Sequence, residues 1–282
     1  IELASFDNDH LCMNITRGFY FEEEVRLRRL NCSSKKDYIV EKKKKSNTEK
    51  NHLYRVGSGT GFAVSEFGHL ITNNHVIDEC EKVKIHSPYK ILTAKIISRD
   101  KKNDLALLKS NFKPTFVFPI AEKPAKLMDQ IYVAGFPFGY KLSNNIKATN
   151  GIISSLSGIG NDFSRIQIDA ALQPGNSGGP IFNKLGNVVG VAVAKLDYKY
   201  SLKKLNTIPE LINFGIKSSM IKAFLFSANV KVRPEVTKGI GDLGQKIQEG
   251  TFYISCLMTK SKYNSLKLKK VLFNEKDIFI EN

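Results

Sequence analysis

Gln173-Pro174-Gly175-Asn176-Ser177-Gly178-Gly179-Pro180 sets one serine among glycines and closes the run with a proline. A serine hydroxyl is a weak nucleophile until a neighbouring base takes its proton. Attack on a carbonyl builds an oxyanion, which needs backbone N–H groups aimed at it. Glycines serve both needs, because they reach backbone conformations that other residues avoid and let a substrate come close. Alone, the stretch also reads as a Gly-rich surface turn. The decision lies with residues far upstream.

A serine nucleophile needs a base, and the base needs an orienting carboxylate. The chain has five histidines: His10, His52, His69, His75 and His86. His75 lies in Ile71-Thr72-Asn73-Asn74-His75-Val76-Ile77, where a strand ends among apolar residues. An imidazole there is partly buried and held in place, although a lone histidine at a strand end is more often structural. Asp104 lies in Asn103-Asp104-Leu105-Ala106-Leu107-Leu108-Lys109, just before a buried strand. By itself it reads as a turn aspartate. The order decides the matter: His75, Asp104 and Ser177 run His…Asp…Ser, the chymotrypsin order. The first two then belong to one half of the domain and the serine to the other. That places the site in the cleft between halves, where pockets preferentially form.

Around these residues the pattern is short strands. In the first half they run Gly57 to Val64, Leu70 to Ile77, Val83 to His86, Ile91 to Ser98 and Leu105 to Leu108. Pro114, Pro119 and Pro124 mark residues 112–129 as a connection. The second half holds Ile131 to Ala134, Ala148 to Ser157, Ile166 to Ala170, Pro180 to Phe182, Val188 to Ala194 and Ile212 to Lys217. A short helix follows, Ser219 to Phe226. Short strands divided by turn residues argue for an all-β barrel or sandwich. Two halves of about six strands each predict two packed barrels. The predicted organisation is a Cys-bracketed helical segment at 1–34 and a basic polar linker at 35–53. A domain at 54–226 follows, with barrels at about 54–111 and 130–226, and then a C-terminal extension at 227–282. That extension carries a helix around Lys238 to Gln248 and an apolar strand, Thr251 to Met258. It is expected to fold onto the barrels or onto the N-terminal segment.

The 282 residues are 42% hydrophobic, ample for a core. No run of eighteen apolar residues exists, so no transmembrane segment is expected. The formal charge of +16 admits nucleic acid or an anionic surface as partner. The lysines are scattered apart from Lys42 to Lys45, and the chain has neither zinc spacing nor an RNP-like motif. No specific nucleic-acid partner, metal or organic cofactor is expected. Ile1 at the start fits a secreted or periplasmic chain whose signal peptide has been removed, and a trimmed chain equally. Cys12, Cys32, Cys80 and Cys256 allow three pairings, which spacing does not distinguish. The favoured disulfide is Cys12 with Cys32, because they bracket one short segment. Its loop contributes about 3 kcal/mol in the chain-entropy model. Four unpaired thiols in a reducing compartment remain the alternative.

From about Tyr54 to Phe226 the chain resembles a trypsin-like serine protease of the HtrA/Deg branch. The stretches that carry the resemblance are GSGTGFAV, LITNNHVI, NDLALLK, IQIDAALQPGNSGGPIF, VVGVAV and INFGIKSS, in the family's order. The resemblance implies two six-stranded antiparallel β-barrels with small terminal extensions. It implies His75 as general base, Asp104 as its orienter and Ser177 as nucleophile. The N–H groups of Gly175 and Ser177, with Asn176 between them, would form the oxyanion hole.

Some positions depart from relatives. Chymotrypsin-type zymogens need an aspartate before the serine to pair with a freed N-terminus, and here that residue is Asn176. Many HtrA proteases carry a C-terminal PDZ domain of about ninety residues, and none is expected within the roughly 55 residues after Phe226. Six residues before the serine, where trypsin has an aspartate, stands Ala171, followed by Leu172. A buried Arg or Lys there would lack a partner. The P1 side chain is therefore expected to be small or aliphatic, in a pocket walled by Val193, Ala194, Asn213, Phe214 and Gly215.

The reading that follows is a serine endopeptidase acting on protein or peptide substrates, unfolded ones among them, in extracytoplasmic quality control. An oligomer is open. The alternatives are a catalytically idle trypsin-fold binding or chaperone module, and an esterase using the same triad.

Overall fold

In a computed structural model of the chain, the described residues are 52–87, 90–139, 145–193 and 212–266. Two units divide the chain: one runs from Tyr54 to Met258, and the other joins Ile1–Leu53 with Thr259–Asn282. The predicted segment 1–34 and the predicted linker 35–53 as far as residue 51 lie outside the described residues, as do Cys12 and Cys32. In the first unit, β1 (Leu53–Ala63) and β2 (His69–Asn73) precede one helical turn, α1 (Asn74–Ile77). There follow β3 (Lys82–His86), β4 (Ile91–Asp100), β5 (Leu105–Lys109), β6 (Gln130–Gly135), β7 (Lys147–Ser155) and β8 (Arg165–Ile168). Next come β9 (Pro180–Asn183), β10 (Val188–Val193), β11 (Asn213–Lys217), α2 (Ser218–Ser227), α3 (Leu243–Gly250) and β12 (Thr251–Thr259). The strands close into two six-stranded antiparallel barrels, the predicted all-β trypsin-like fold.

Strand period decides which face each residue takes. On β2 and β5, Leu70, Ala106 and Leu108 fill the first barrel, while Ile71, Leu105 and Leu107 turn to the seam between barrels. Ile131, Val133, Ile153, Ile166, Ile168 and Ile181 fill the second barrel. On β10 the register slips between Val188 and Gly190. Such a bulge moves the alternation by one residue, so Val188, Val191 and Val193 face the seam and Val189 and Ala192 the barrel. Phe118, from the connection between halves, is fully buried in the seam, stacked on Phe182 at 5.5 Å and edge-on to Phe62 at 6.1 Å. Ile221, Phe224 and Leu225 of α2 share one helix face and close the seam from outside.

Two expectations need correction. The stretch Leu70 to Ile77, read as a strand and its end, is strand only as far as Asn73, and its end is one helical turn from Asn74. The first barrel is also not contained in residues 54–111. These supply five strands, and the sixth is β12, seated between β1 and β3. Its register pairs Tyr253 with His86, Ser255 with Lys84 and Cys256 with Val83. The physical reason is closure: five strands leave two open edges, and the apolar β12 covers both. Read around its ring, the second barrel runs β6-β7-β8-β11-β10-β9, and the first runs β12-β1-β2-β5-β4-β3. These are one topology, except that the first barrel takes its opening strand from the far end of the chain.

A disulfide between Cys80 and Cys256, with Cα atoms 5.3 Å apart, fastens β12 to the segment just after α1. It links positions 176 residues apart, which in the chain-entropy model contributes about 5 kcal/mol.

His86 is held neutral on this seam of strands. Burial, with the charges of Arg55 and Lys84, lowers its pKa from 6.5 to about 4. Its Nε2 lies 2.8 Å from Ser255 Oγ, and its ring stands 4.9 Å from that of Tyr253. Between pH 6.5 and 4 the unfolded chain binds this proton and the folded chain does not, so stability falls as pH drops through that window. After discounting for the partial exposure of the ring, the loss is on the order of 1–2 kcal/mol. Urea midpoints at pH 7 and pH 4.5 are expected to differ less in His86→Gln than in the native chain. Equal pH slopes would refute this.

Candidate functional site

Asp104 ends the turn between β4 and β5 in the left-handed region, at φ 58°. Aspartate tolerates that conformation better than most residues. The turn is braced by Asp100, which accepts from Asn103 N at 2.9 Å and Asn103 Nδ2 at 2.6 Å. Burial pushes the Asp100 carboxyl up, but the bonds from Asn103 and the Lys102 charge outweigh it and hold the group below the usual carboxylate range. Asp104 is thereby turned onto α1. Its Oδ1 accepts the His75 backbone N–H at 2.9 Å, and its Oδ2 lies 2.7 Å from His75 Nδ1. Its carbonyl accepts from Asn74 N at 3.1 Å and Asn73 Nδ2 at 3.0 Å. A carboxylate only accepts, so His75 Nδ1 carries the proton and Nε2 is the basic nitrogen.

The second barrel brings Ser177 to the same place. A Cβ on Gly59 would stand 2.6 Å from Val76 Cγ2 and 2.9 Å from the Ser177 carbonyl oxygen. The residue after His75 and the serine backbone thus flank one spot on β1. Gly178, at φ 84°, presses on the end of β2: a Cβ there would collide with Thr60 O and Thr72 Oγ1 and lie 2.9 Å from Asn73 N.

The carbonyls of the serine loop are each held. Pro174 O accepts from Phe138 N at 2.7 Å, Gly175 O from Thr60 Oγ1 at 2.7 Å, and Asn176 O from Gly179 N at 2.9 Å. Ser177 O accepts from Thr60 N at 2.8 Å. A trans peptide points its N–H opposite its C=O. Fixing the carbonyls of Pro174 and Asn176 therefore fixes the N–H groups of Gly175 and Ser177. Among the described residues the Gly175 N–H has no acceptor. Asn176 is buried, and its Oδ1 has no partner among the described residues.

Thr60 was not singled out in the sequence, yet it ties the loop to the first barrel. It is fully buried. Besides the two bonds above, its Oγ1 accepts from Phe136 N at 3.1 Å, and its carbonyl accepts from Thr72 Oγ1 at 2.6 Å. The signal was the alternation of glycines in Gly57-Ser58-Gly59-Thr60-Gly61, which marks a strand closely approached by other backbone. Thr60→Val keeps the shape but strands a buried carbonyl and a buried N–H. A loss of about 2–4 kcal/mol in urea unfolding is expected, against a small loss for Thr60→Ser. Equal losses in the two variants would remove this role.

The candidate specificity residues divide. Ala171 is exposed, and its carbonyl accepts from Thr149 Oγ1 at 3.0 Å. Asn213 Nδ2 donates to Ala170 O at 2.9 Å, and Val193 lies opposite Phe214 across the β10–β11 ladder. These segments meet. Leu172 instead packs into the second barrel with Ile168 and Ala192. A Cβ on Gly215 would meet Ile181 Cδ1 and stand 3.3 Å from Ile166 Cγ1, so that face also looks into the barrel. Ala194 lies outside the described residues. A cavity of about 930 Å³, lined by residues that include Glu66, His69, Phe116 and Arg233, shares no residue with this constellation.

Residues 59–191 match the family described as "Trypsin-like peptidase domain". The chain is 38% identical over 174 residues to the protein y4bJ of Sinorhizobium fredii, covering 61% of this chain and 28% of that one. It is 35% identical over 230 residues to a probable periplasmic serine endoprotease DegP-like of Bartonella henselae, covering 77% of this chain and 42% of that protein. The crystal structure of the serine endoprotease from Yersinia pestis is similar at a TM-score of 0.51 and 28% identity, covering 62% of this chain and 61% of that one. The chain spans less than half the length of these two curated relatives. No helix among the described residues is long and apolar enough to cross a membrane. Fold and family match agree that this chain carries a trypsin-like peptidase domain, similar to proteins named as DegP-like serine endoproteases.

Proposed function

We propose that this chain is a serine endopeptidase that hydrolyses protein or peptide substrates through an acyl-enzyme in an extracytoplasmic compartment. The observation that carries the reading is the His75–Asp104 contact of 2.7 Å, set beside a serine loop whose carbonyls are held so that the N–H groups of Gly175 and Ser177 are fixed. Ser177 Oγ attacks the scissile carbonyl while His75 Nε2 takes its proton. The oxyanion is met by the Gly175 and Ser177 N–H groups. Collapse breaks the C–N bond, His75 returns the proton to the leaving amine, and Ser177 holds the acyl group as an ester. Water, deprotonated by His75, releases the acid. The Cys80–Cys256 disulfide supports an oxidising compartment, and relatives are named as periplasmic.

A fluorophosphonate probe is expected to label Ser177 in the native chain and not in Ser177→Ala. Casein digestion then separates endopeptidase from esterase. A native chain that takes up no label would favour the idle binding module instead.

Ala171 six residues before Ser177 supports a small or aliphatic P1 side chain, since no carboxylate stands there to meet a cation. In a P1 peptide library, cleavage after Ala or Val is expected to exceed cleavage after Arg. The reverse order would dismiss this specificity.

A further inference from the structure

We infer that the C-terminal strand takes part in catalysis through Tyr253, as a positioning residue for the oxyanion hole; this rests on the peptidase reading above. Tyr253 lies on β12, the strand that the first barrel takes from the far end of the chain. It is buried, and its ring stands edge-on to that of Phe136 at 5.8 Å. It also fills the place where a side chain on Gly139 would go: a Cβ there would lie 2.9 Å from both Tyr253 Cε2 and Tyr253 Oη. Phe136 and Gly139 are the two ends of one turn, closed by Gly139 N–H donating to Phe136 O at 3.0 Å. Tyr253 therefore packs on both ends of that turn.

Inside the turn, Phe138 and Gly139 are both left-handed, at φ 57° and 53°. A bulky residue holds that conformation only where its surroundings impose it. The imposed conformation aims Phe138 N–H at Pro174 O, at 2.7 Å. That bond sets the Pro174–Gly175 peptide, and so the direction of the Gly175 N–H. The physical chain runs from the Tyr253 ring to the Phe136–Gly139 turn, from the turn to the Pro174 carbonyl, and from the carbonyl to the first oxyanion donor. Gly175 is also caught against this turn: a Cβ on it would collide with Phe136 O and stand 3.0 Å from Phe138 N. With the ring removed, the peptide is free to turn over, and the donor serves the transition state only part of the time. Substrate binding along the cleft does not use that donor, so the loss falls on kcat.

The test is steady-state hydrolysis of a peptide substrate by the full chain, with Ser177→Ala as the blank. Tyr253→Ala is expected to lower kcat about 10- to 100-fold, short of the roughly 100- to 1,000-fold loss for deleting an oxyanion donor outright. KM is expected to stay within about threefold. The affinity for a peptidyl boronic acid, which mimics the tetrahedral intermediate, is expected to fall by the same factor as kcat. Tyr253→Phe keeps the ring and is expected to restore kcat. Where Tyr253→Ala does not accumulate as folded chain with Cys80–Cys256 intact, Tyr253→Leu carries the same expectation. Unchanged kcat in the folded variant, or an increase in KM that accounts for the loss, overturns the inference and leaves the peptidase reading standing. A native chain with no activity above the blank overturns both.

Discussion

Ser177→Ala is expected to lower kcat for peptide hydrolysis by about a million-fold, and His75→Ala combined with it to lower kcat no further. The two groups act as a unit: without the alcohol the imidazole has no proton to take, and without the imidazole the alcohol has no base. A residual rate enhancement of about 1,000- to 10,000-fold over water is expected, from oxyanion contacts and substrate positioning alone. Ser177→Ala leaves the loop in place, because the carbonyls of residues 174–177 are held by Phe138, Thr60 and Gly179. Matching circular dichroism spectra and urea midpoints for the variant and native chains check this. Two losses that multiply in the double variant would mean that the residues do not serve one step.

Asp104→Asn is expected to lower kcat about 10,000-fold with little change in stability. Asparagine tolerates the left-handed backbone at φ 58°, so the turn survives. The two carboxylate oxygens have different partners, and that difference dictates how the amide sits. Its oxygen stays with the His75 backbone N–H, which Oδ1 accepts at 2.9 Å, so its NH2 faces His75 Nδ1, where Oδ2 stood at 2.7 Å. An amide donor there makes Nδ1 an acceptor and moves the ring proton to Nε2. An imidazole with Nε2 protonated cannot take the Ser177 proton. Nitrogen NMR of the ring would report the change of tautomer alongside the loss of kcat. A variant that keeps most of its activity would show that Asp104 does not set the tautomer.

Much of this was legible in the sequence because it is local. Short apolar runs between turn residues announced the strands, and Gly175, Gly178 and Gly179 announced a backbone folded tightly around Ser177. Thr60 was harder to see. Its hydroxyl matters only because Gly175, 115 residues away, presents a carbonyl to it. Leu172 illustrates the opposite limit: it follows Ala171 in the sequence, yet its side chain packs into the second barrel. β12 was recognised as a strand, but its place was not, since an apolar stretch does not say which open edge it will cover. Cys80 and Cys256 could be paired only once that edge was known.

By itself, the amino-acid sequence determined the local conformations, the order His75, Asp104, Ser177 and the chemistry those side chains allow. These depend on residue type and on neighbours a few positions away. Only the tertiary structure decided that the first barrel closes on the chain's last described strand, that Thr60 and Phe138 set the serine loop, and that Tyr253 stands behind it. Those relations join residues about 35 to 200 positions apart, and closure of the two rings brings them together.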